Sequence, residues 1–167
     1  MKLMQMIIVF CIAIVLLVGC GDDEETIPEG YYTYDESEVN AALDELSFDP
    51  QLPRYLPMSV EFIITDTFSN ESSDEALDIS FYSRDNDLMT YQVYKGEIDE
   101  SFEGEHVLLN EAIEATYRHN RFAHVMTWEH EGLTYHIEWR ESSRQESGED
   151  ITKEDLIVIA ESMYSST

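Results

Sequence analysis

Cysteine is nearly missing from this 167-residue chain: its two copies, Cys11 and Cys20, both fall within the first 20 positions. Cys11 lies in an apolar leader that export would remove, so the remainder keeps a single sulfur and can form no internal disulfide. Positive charge is scarce as well, with 9 Lys and Arg against 36 Asp and Glu and a net charge of −27. A polyanion of this size repels phosphate over a Debye length of roughly 8 Å at physiological salt, which argues against nucleic acid and anionic headgroups as partners. Cations, basic peptides and basic proteins remain. The charge also has a use that needs no partner, since like charges keep a protein soluble and monomeric.

The third absence is a long apolar run. The longest, Ile7 to Val18, has 12 residues, whereas a bilayer core takes about 20. Signatures of chemistry are missing too. No G-x-S-x-G elbow, phosphate-cradling glycine loop or D-x-D-x-D-G calcium loop occurs, and His130-Glu131 is followed by Gly132-Leu133 rather than completing H-E-x-x-H. With 36 acids, the carboxylate pair that a glycosidase needs can be drawn in too many ways to name one. The sequence therefore assigns no catalytic residue, no metal ligand and no cofactor.

What is present begins with an address. Met1 to Met6 carries Lys2, the 12-residue apolar run follows, and Leu17-Val18-Gly19-Cys20 closes it ahead of Gly21-Asp22-Asp23-Glu24-Glu25. Those four residues resemble the lipobox of bacterial lipoproteins. The resemblance implies a signal peptide over residues 1–19, a diacylglycerol on the Cys20 sulfur, cleavage before it, and a domain held at the outer face of the cell membrane. Two acyl chains give the stable anchoring that one does not. An ordinary secretory signal with a chance cysteine is the alternative. Loss of Lys2 leaves 8 basic against 36 acidic residues, a net −28. Residues 20–34 read as an acidic tether, the 14 after Cys20 reaching roughly 46 Å when extended, although Tyr31, Tyr32 and Tyr34 have the look of fold residues.

Residues 35–167 form the expected domain, and 43% hydrophobic with 11% aromatic residues is a folding composition. Asp35-Glu36-Ser37-Glu38 has the form of a capping box, followed by an apolar stripe of Val39, Ala42, Leu43 and Leu46 at helical spacing. Pro50, Pro53 and Pro57 make Phe48 to Pro57 an extended stretch. Period-two runs follow at Met58 to Asp66, Ala76 to Ser83 and Leu88 to Lys95, with Leu77, Ile79 and Phe81 sharing one face. Short runs at His106 to Asn110 and Ala112 to His119 precede a hairpin, Phe122 to Glu129 and Leu133 to Arg140, whose loop at His130-Glu131-Gly132 has two or three residues. Ile151-Thr152-Lys153-Glu154-Asp155-Leu156 provides a Thr cap, an acid at the third helical position and an Ile-to-Leu staple. The helix it opens carries Leu156, Ile159, Ala160 and Met163 on one stripe. The expected class is α+β: an antiparallel sheet of about five to six strands with an N-terminal and a C-terminal helix packed on it.

Leu56-Pro57, the hairpin Thr127-Trp128-Glu129-His130-Glu131-Gly132-Leu133-Thr134-Tyr135, and the helix Ile151 to Met163 together resemble the bacterial domain-of-unknown-function family 4367 of exported proteins. The similarity covers roughly residues 50–164 and implies a hairpin with a docked helix, with no catalytic residue to carry over. The candidate ligand-binding residues are Trp128, Tyr135 and Trp139, as aromatics of an apolar groove or else of the core. His124 and His136, on opposite arms of the hairpin, form a metal pair only if they face each other. Asp85-Asn86-Asp87 is a turn rather than a calcium loop. The leading function is a non-enzymatic binding, accessory or sensory domain for a protein, peptide or amphiphile. A cell-envelope hydrolase using paired carboxylates and a passive acidic or cation-binding surface protein are the alternatives.

Overall fold

The period-two runs become a wholly antiparallel sheet. The computed structural model describes residues 27–69, 75–96, 103–140 and 151–164. In them a short helix α1 (Ser37–Leu43) is followed by strands β1 (Val60–Ser69), β2 (Glu75–Ser83), β3 (Leu88–Lys95) and β4 (Glu105–Leu109). Then come β5 (Ile113–His119), β6 (His124–His130), β7 (Leu133–Arg140) and helix α2 (Lys153–Ser162). The strands lie in the order β1-β2-β3-β7-β6-β5-β4. The chain thus crosses to the far edge after β3 and works back until β7 docks on β3.

The α+β class holds, with seven strands in place of five or six. The extra strand comes from the two short runs around Glu111, which pair as β4 and β5 through a turn with Asn110 at φ 48° and Glu111 at φ 59°. Left-handed backbone at two consecutive non-glycine residues is not advertised by sequence. The later hairpin is settled by its register. His130 pairs with Leu133, so the loop is the two residues Glu131 and Gly132, at φ 53° and 78°. Two positive φ angles in a two-residue loop match the type I′ turn, whose twist suits paired strands.

Both helices bury their stripes against the same sheet face. Val39 and Ala42 of α1 join Leu156, Ile159, Ala160 and Met163 in one core with Leu77, Ile79, Phe81, Met89, Tyr91, Val93 and Ile137. The first helix departs from expectation. It ends at Leu43, Glu36 is its cap without a side-chain bond, and Asp35 instead accepts the Ser37 amide. Nor does the fold start there: Tyr32 bridges Leu56, Tyr34 lies edge-on to Phe81, and the Tyr31 hydroxyl donates to Asp155 at 2.7 Å. The body of the protein therefore begins before residue 35. All core residues and those packed on them fall between Tyr31 and Tyr164, so a chain starting at Gly21 retains the whole described core.

The proline-rich segment after α1 cannot make a regular ladder, and its backbone is satisfied by side chains. The Tyr91 hydroxyl donates to Gln51 O, the Tyr135 hydroxyl accepts from Gln51 N at 3.4 Å, and Ser162 Oγ accepts from Arg54 N at 3.2 Å. Helix α2 carries the expected capping box between Thr152 and Asp155. Burial alone would raise the Asp155 carboxyl, but hydrogen bonds from Tyr31 and from the Thr152 hydroxyl and amide outweigh it and hold the group below its ordinary 3.8. A carboxylate lowered by folding stabilises above its unfolded value and loses that contribution as pH falls through its folded one. Thr152→Ala is expected to cost about 1 kcal/mol at pH 7. Asp155→Asn is expected to flatten the loss of stability below about pH 4, measured as urea midpoints across pH 2 to 7.

Candidate functional site

Alternation gives the sheet a second face, and neither of the two described helices lies on it. The register sets one residue of each strand in a row across that face: Asp66, Asp78, Gln92, His136, Thr127, Thr116 and His106. The row is hydrogen-bonded in parts. The Gln92 amide donates to Asp78, Tyr94 OH donates to Gln92 Oε1 at 2.7 Å, and Thr127 Oγ1 lies 3.1 Å from His136 Nδ1. His136 Nε2 is 3.8 Å from Glu138 Oε2.

Toward β4 the face dips into a depression of about 430 Å³ whose lining includes His106, Glu114, Thr116, Thr127 and Glu129. Its polar groups are hydroxyls, carboxylates and the imidazoles of His106 and His130. Among the described residues no group of three or more His, Cys, Asp or Glu side chains is placed to hold a metal ion.

At the opposite edge the pattern of β1 is inverted. Register with Phe81, Ile79 and Leu77 turns Ile63, Thr65 and Thr67 toward the helices. Phe62, Ile64 and Phe68 therefore stand on the outer face, 51%, 53% and 55% exposed. Phe62 stacks on Tyr82 with ring centroids 4.5 Å apart and planes 12° from parallel. Three large apolar side chains in line on an edge strand make a patch, which scattered single exposures do not. Asp66 shares their side, so a one-residue slip that buried them would also bury a carboxylate.

The sequence-predicted groove aromatics are elsewhere. Trp128, Tyr135 and Trp139 are 2%, 1% and 2% exposed and face the helices. Trp128 stacks on Tyr135 at 5.2 Å and 4°, and its Nε1 donates to Tyr164 OH at 2.8 Å. Of the two readings these residues carried, core and not groove is what their burial supports. His124 and His136 do not face each other either. His124 opposes Trp139 on the helix side and contacts Tyr117 OH at 2.8 Å, whereas His136 opposes Thr127 on the outer face. A hairpin register that puts them on opposite faces removes the metal pair.

Asp85-Asn86-Asp87 is a turn, as expected. Asn86 has φ 68°, and Ser83 Oγ accepts the amides of Asp85 and Asp87 at 3.2 and 3.0 Å. Beside it a concavity of about 800 Å³ opens where Glu29 to Tyr32 approach the start of β1, between Tyr31, Glu61, Arg84 and Asp155. Residues 1–26, which include Cys20 and the residues expected to form the signal peptide, lie outside the described residues. No helix of the described residues is long and apolar enough to cross a membrane. No protein-family model matches the chain, and neither does any curated protein or solved structure.

The outer residues of β1 were legible only in part. Phe62, Ile63 and Ile64 are consecutive and apolar, so alternation alone leaves two choices of face. Thr65 and Thr67 against Phe68 point the wrong way, since polar residues suggest the solvent face and only pairing with Ile79 and Leu77 turns these two inward.

Proposed function

We propose that this chain is a lipid-anchored extracytoplasmic lipoprotein of the family 4367 type, carrying a non-enzymatic domain that binds an amphiphilic protein or peptide on its helix-free sheet face. The observation that supports the binding role is the line of Phe62, Ile64 and Phe68 left in water on that face. Full burial of such a side chain is worth about 1.5–3 kcal/mol, so half-exposing three of them sets aside several kcal/mol that a partner recovers. The export address rests on the leader and on Cys20. A body entered through Tyr31 and Tyr32 beside the start of β1 puts the stripe's Phe62 end nearest the tether.

The test uses residues 21–167 and Nile red, a neutral dye that the acidic surface does not repel. Saturable binding is expected, weakened at least about tenfold in a Phe62→Ser, Ile64→Ser, Phe68→Ser triple variant that still unfolds in one cooperative transition at a modestly lowered melting temperature. Equal dye binding by the variant would dismiss the face as the binding surface.

A further inference from the structure

The edge strand admits a narrower assignment, which rests on the reading of the helix-free face as a binding surface. We infer that β1 is a docking strand for a cationic amphipathic segment, which adds to its outer edge as an eighth strand and lays its apolar side chains against Phe62, Ile64 and Phe68.

The backbone supplies the first reason. In the sheet order β1 is terminal and pairs with β2 alone, and among the described residues no backbone hydrogen bond from another segment reaches its outer edge. An edge of this kind presents a row of unmet N–H and C=O groups, which is the template that strand addition uses. Its 10 residues span roughly 33 Å. Proteins usually blunt such an edge with lysine, proline, a bulge or a short strand. The sequence VEFIITDTFS has neither residue, and its one irregularity is a register shift between Val60 and Phe62. The other edge differs: β4 has 5 residues, exposes Leu108 alone as a large apolar, and its Glu105 is bonded to Lys153 at 2.8 Å.

The side chains specify the occupant. Along the outer face β1 reads Phe62, Ile64, Asp66, Phe68, so the facing residues of an added strand are best apolar, apolar, cationic, apolar. Charge around the strand has a negative excess. Glu45 bonds Thr67, Asp78 pairs with Asp66, and the neighbouring cations Arg84 and Lys95 are already 3.1 Å from Glu61 and 4.0 Å from Glu75. A cationic segment gains from this field. A second copy of the chain, at net −27, is repelled by it.

The experiment takes the acylated protein beginning at Cys20 in phosphatidylcholine nanodiscs and a fluorescein-labelled synthetic peptide. That peptide alternates Ile, Ile, Lys, Ile on one face with Thr and Lys on the other. Anisotropy is corrected with empty nanodiscs. The peptide is expected to bind, and its carbonyl-labelled form to shift to the infrared frequency of a strand. Ile64→Lys is expected to weaken binding at least about tenfold. Thr90→Lys, two strands inward on the same face, is expected to change it less than about threefold. A scrambled peptide of equal composition binding equally well would reduce the effect to net charge and overturn the assignment. Sensitivity to Thr90→Lys alone would move the ligand to the centre of the face, overturning strand addition while leaving the face as a binding surface. No peptide binding, with Nile red binding intact or with a dimer that Ile64→Lys dissociates, would also overturn it.

Discussion

Trp128→Ala is expected to lower the unfolding free energy by about 3–5 kcal/mol, and with it the melting temperature by roughly 10–20 °C. The indole is 2% exposed in the middle of the helix-side face, so truncation opens a cavity that the sheet cannot collapse around. Two further losses add to the cavity. Tyr135 loses the ring stacked on it at 5.2 Å, and Tyr164 OH loses the indole N–H that donates to it at 2.8 Å. The Tyr164 phenol is held above its ordinary value mainly by burial, so its hydroxyl stays protonated at neutral pH and in need of partners. Trp128→Phe is expected to recover the packing and not the hydrogen bond, leaving a deficit of about 1 kcal/mol. Urea midpoints measure all of this. The same measurement separates core from groove. A groove aromatic can be truncated at small cost to folding, as is expected of Phe68→Ser, whereas Trp128 cannot. An unchanged midpoint for Trp128→Ala would return that residue to the ligand surface.

Much of the fold is legible along the chain where one local rule has no competitor. Thr152 and Asp155 cap α2 because a hydroxyl and a carboxylate three residues apart reach each other's amides. Leu77, Ile79 and Phe81 reach the core because their strand alternates without interruption. Legibility fails where two rules compete. Asp35 and Glu38 have capping-box spacing, yet Asp35 spends its oxygen on the Ser37 amide, and α1 stops after seven residues, short of Leu46. Trp128 and Tyr135 sit on hairpin arms whose facing depends on one loop residue. Only the register of His130 with Leu133 makes them neighbours. The candidate site was the least legible part, because an edge strand's face is set by its partner strand: Ile63 faces inward since it opposes Phe81, and Ile64 outward since it opposes Ser80. Periodicity within β1 could not decide between them.

Cys20→Ser is expected to have the largest effect of any single substitution on where the protein is found. Serine keeps the size of the side chain and removes the nucleophilic sulfur on which the diacyl group would be placed. One myristoyl chain alone gives a membrane association constant of about 10⁴ M⁻¹, and each buried methylene contributes about 0.8 kcal/mol. Removing two chains therefore lowers partitioning by more than about 10⁴-fold. Nothing in the described body replaces them: Phe62, Ile64 and Phe68 are only half-exposed, and 36 acids against 9 bases oppose an anionic bilayer. The body itself is expected to fold unchanged, since its core begins at Tyr31. Fractionation with mass spectrometry of the amino terminus is the measurement. The expected wild-type result is an acylated Cys20 in the membrane fraction, and the variant is expected as an unacylated chain that keeps its first 19 residues or is cleaved elsewhere. A wild-type protein without acyl mass, or a variant retained on membranes after its leader is removed, would dismiss lipid anchoring. The sheet face and its peptide would then have to be sought in solution.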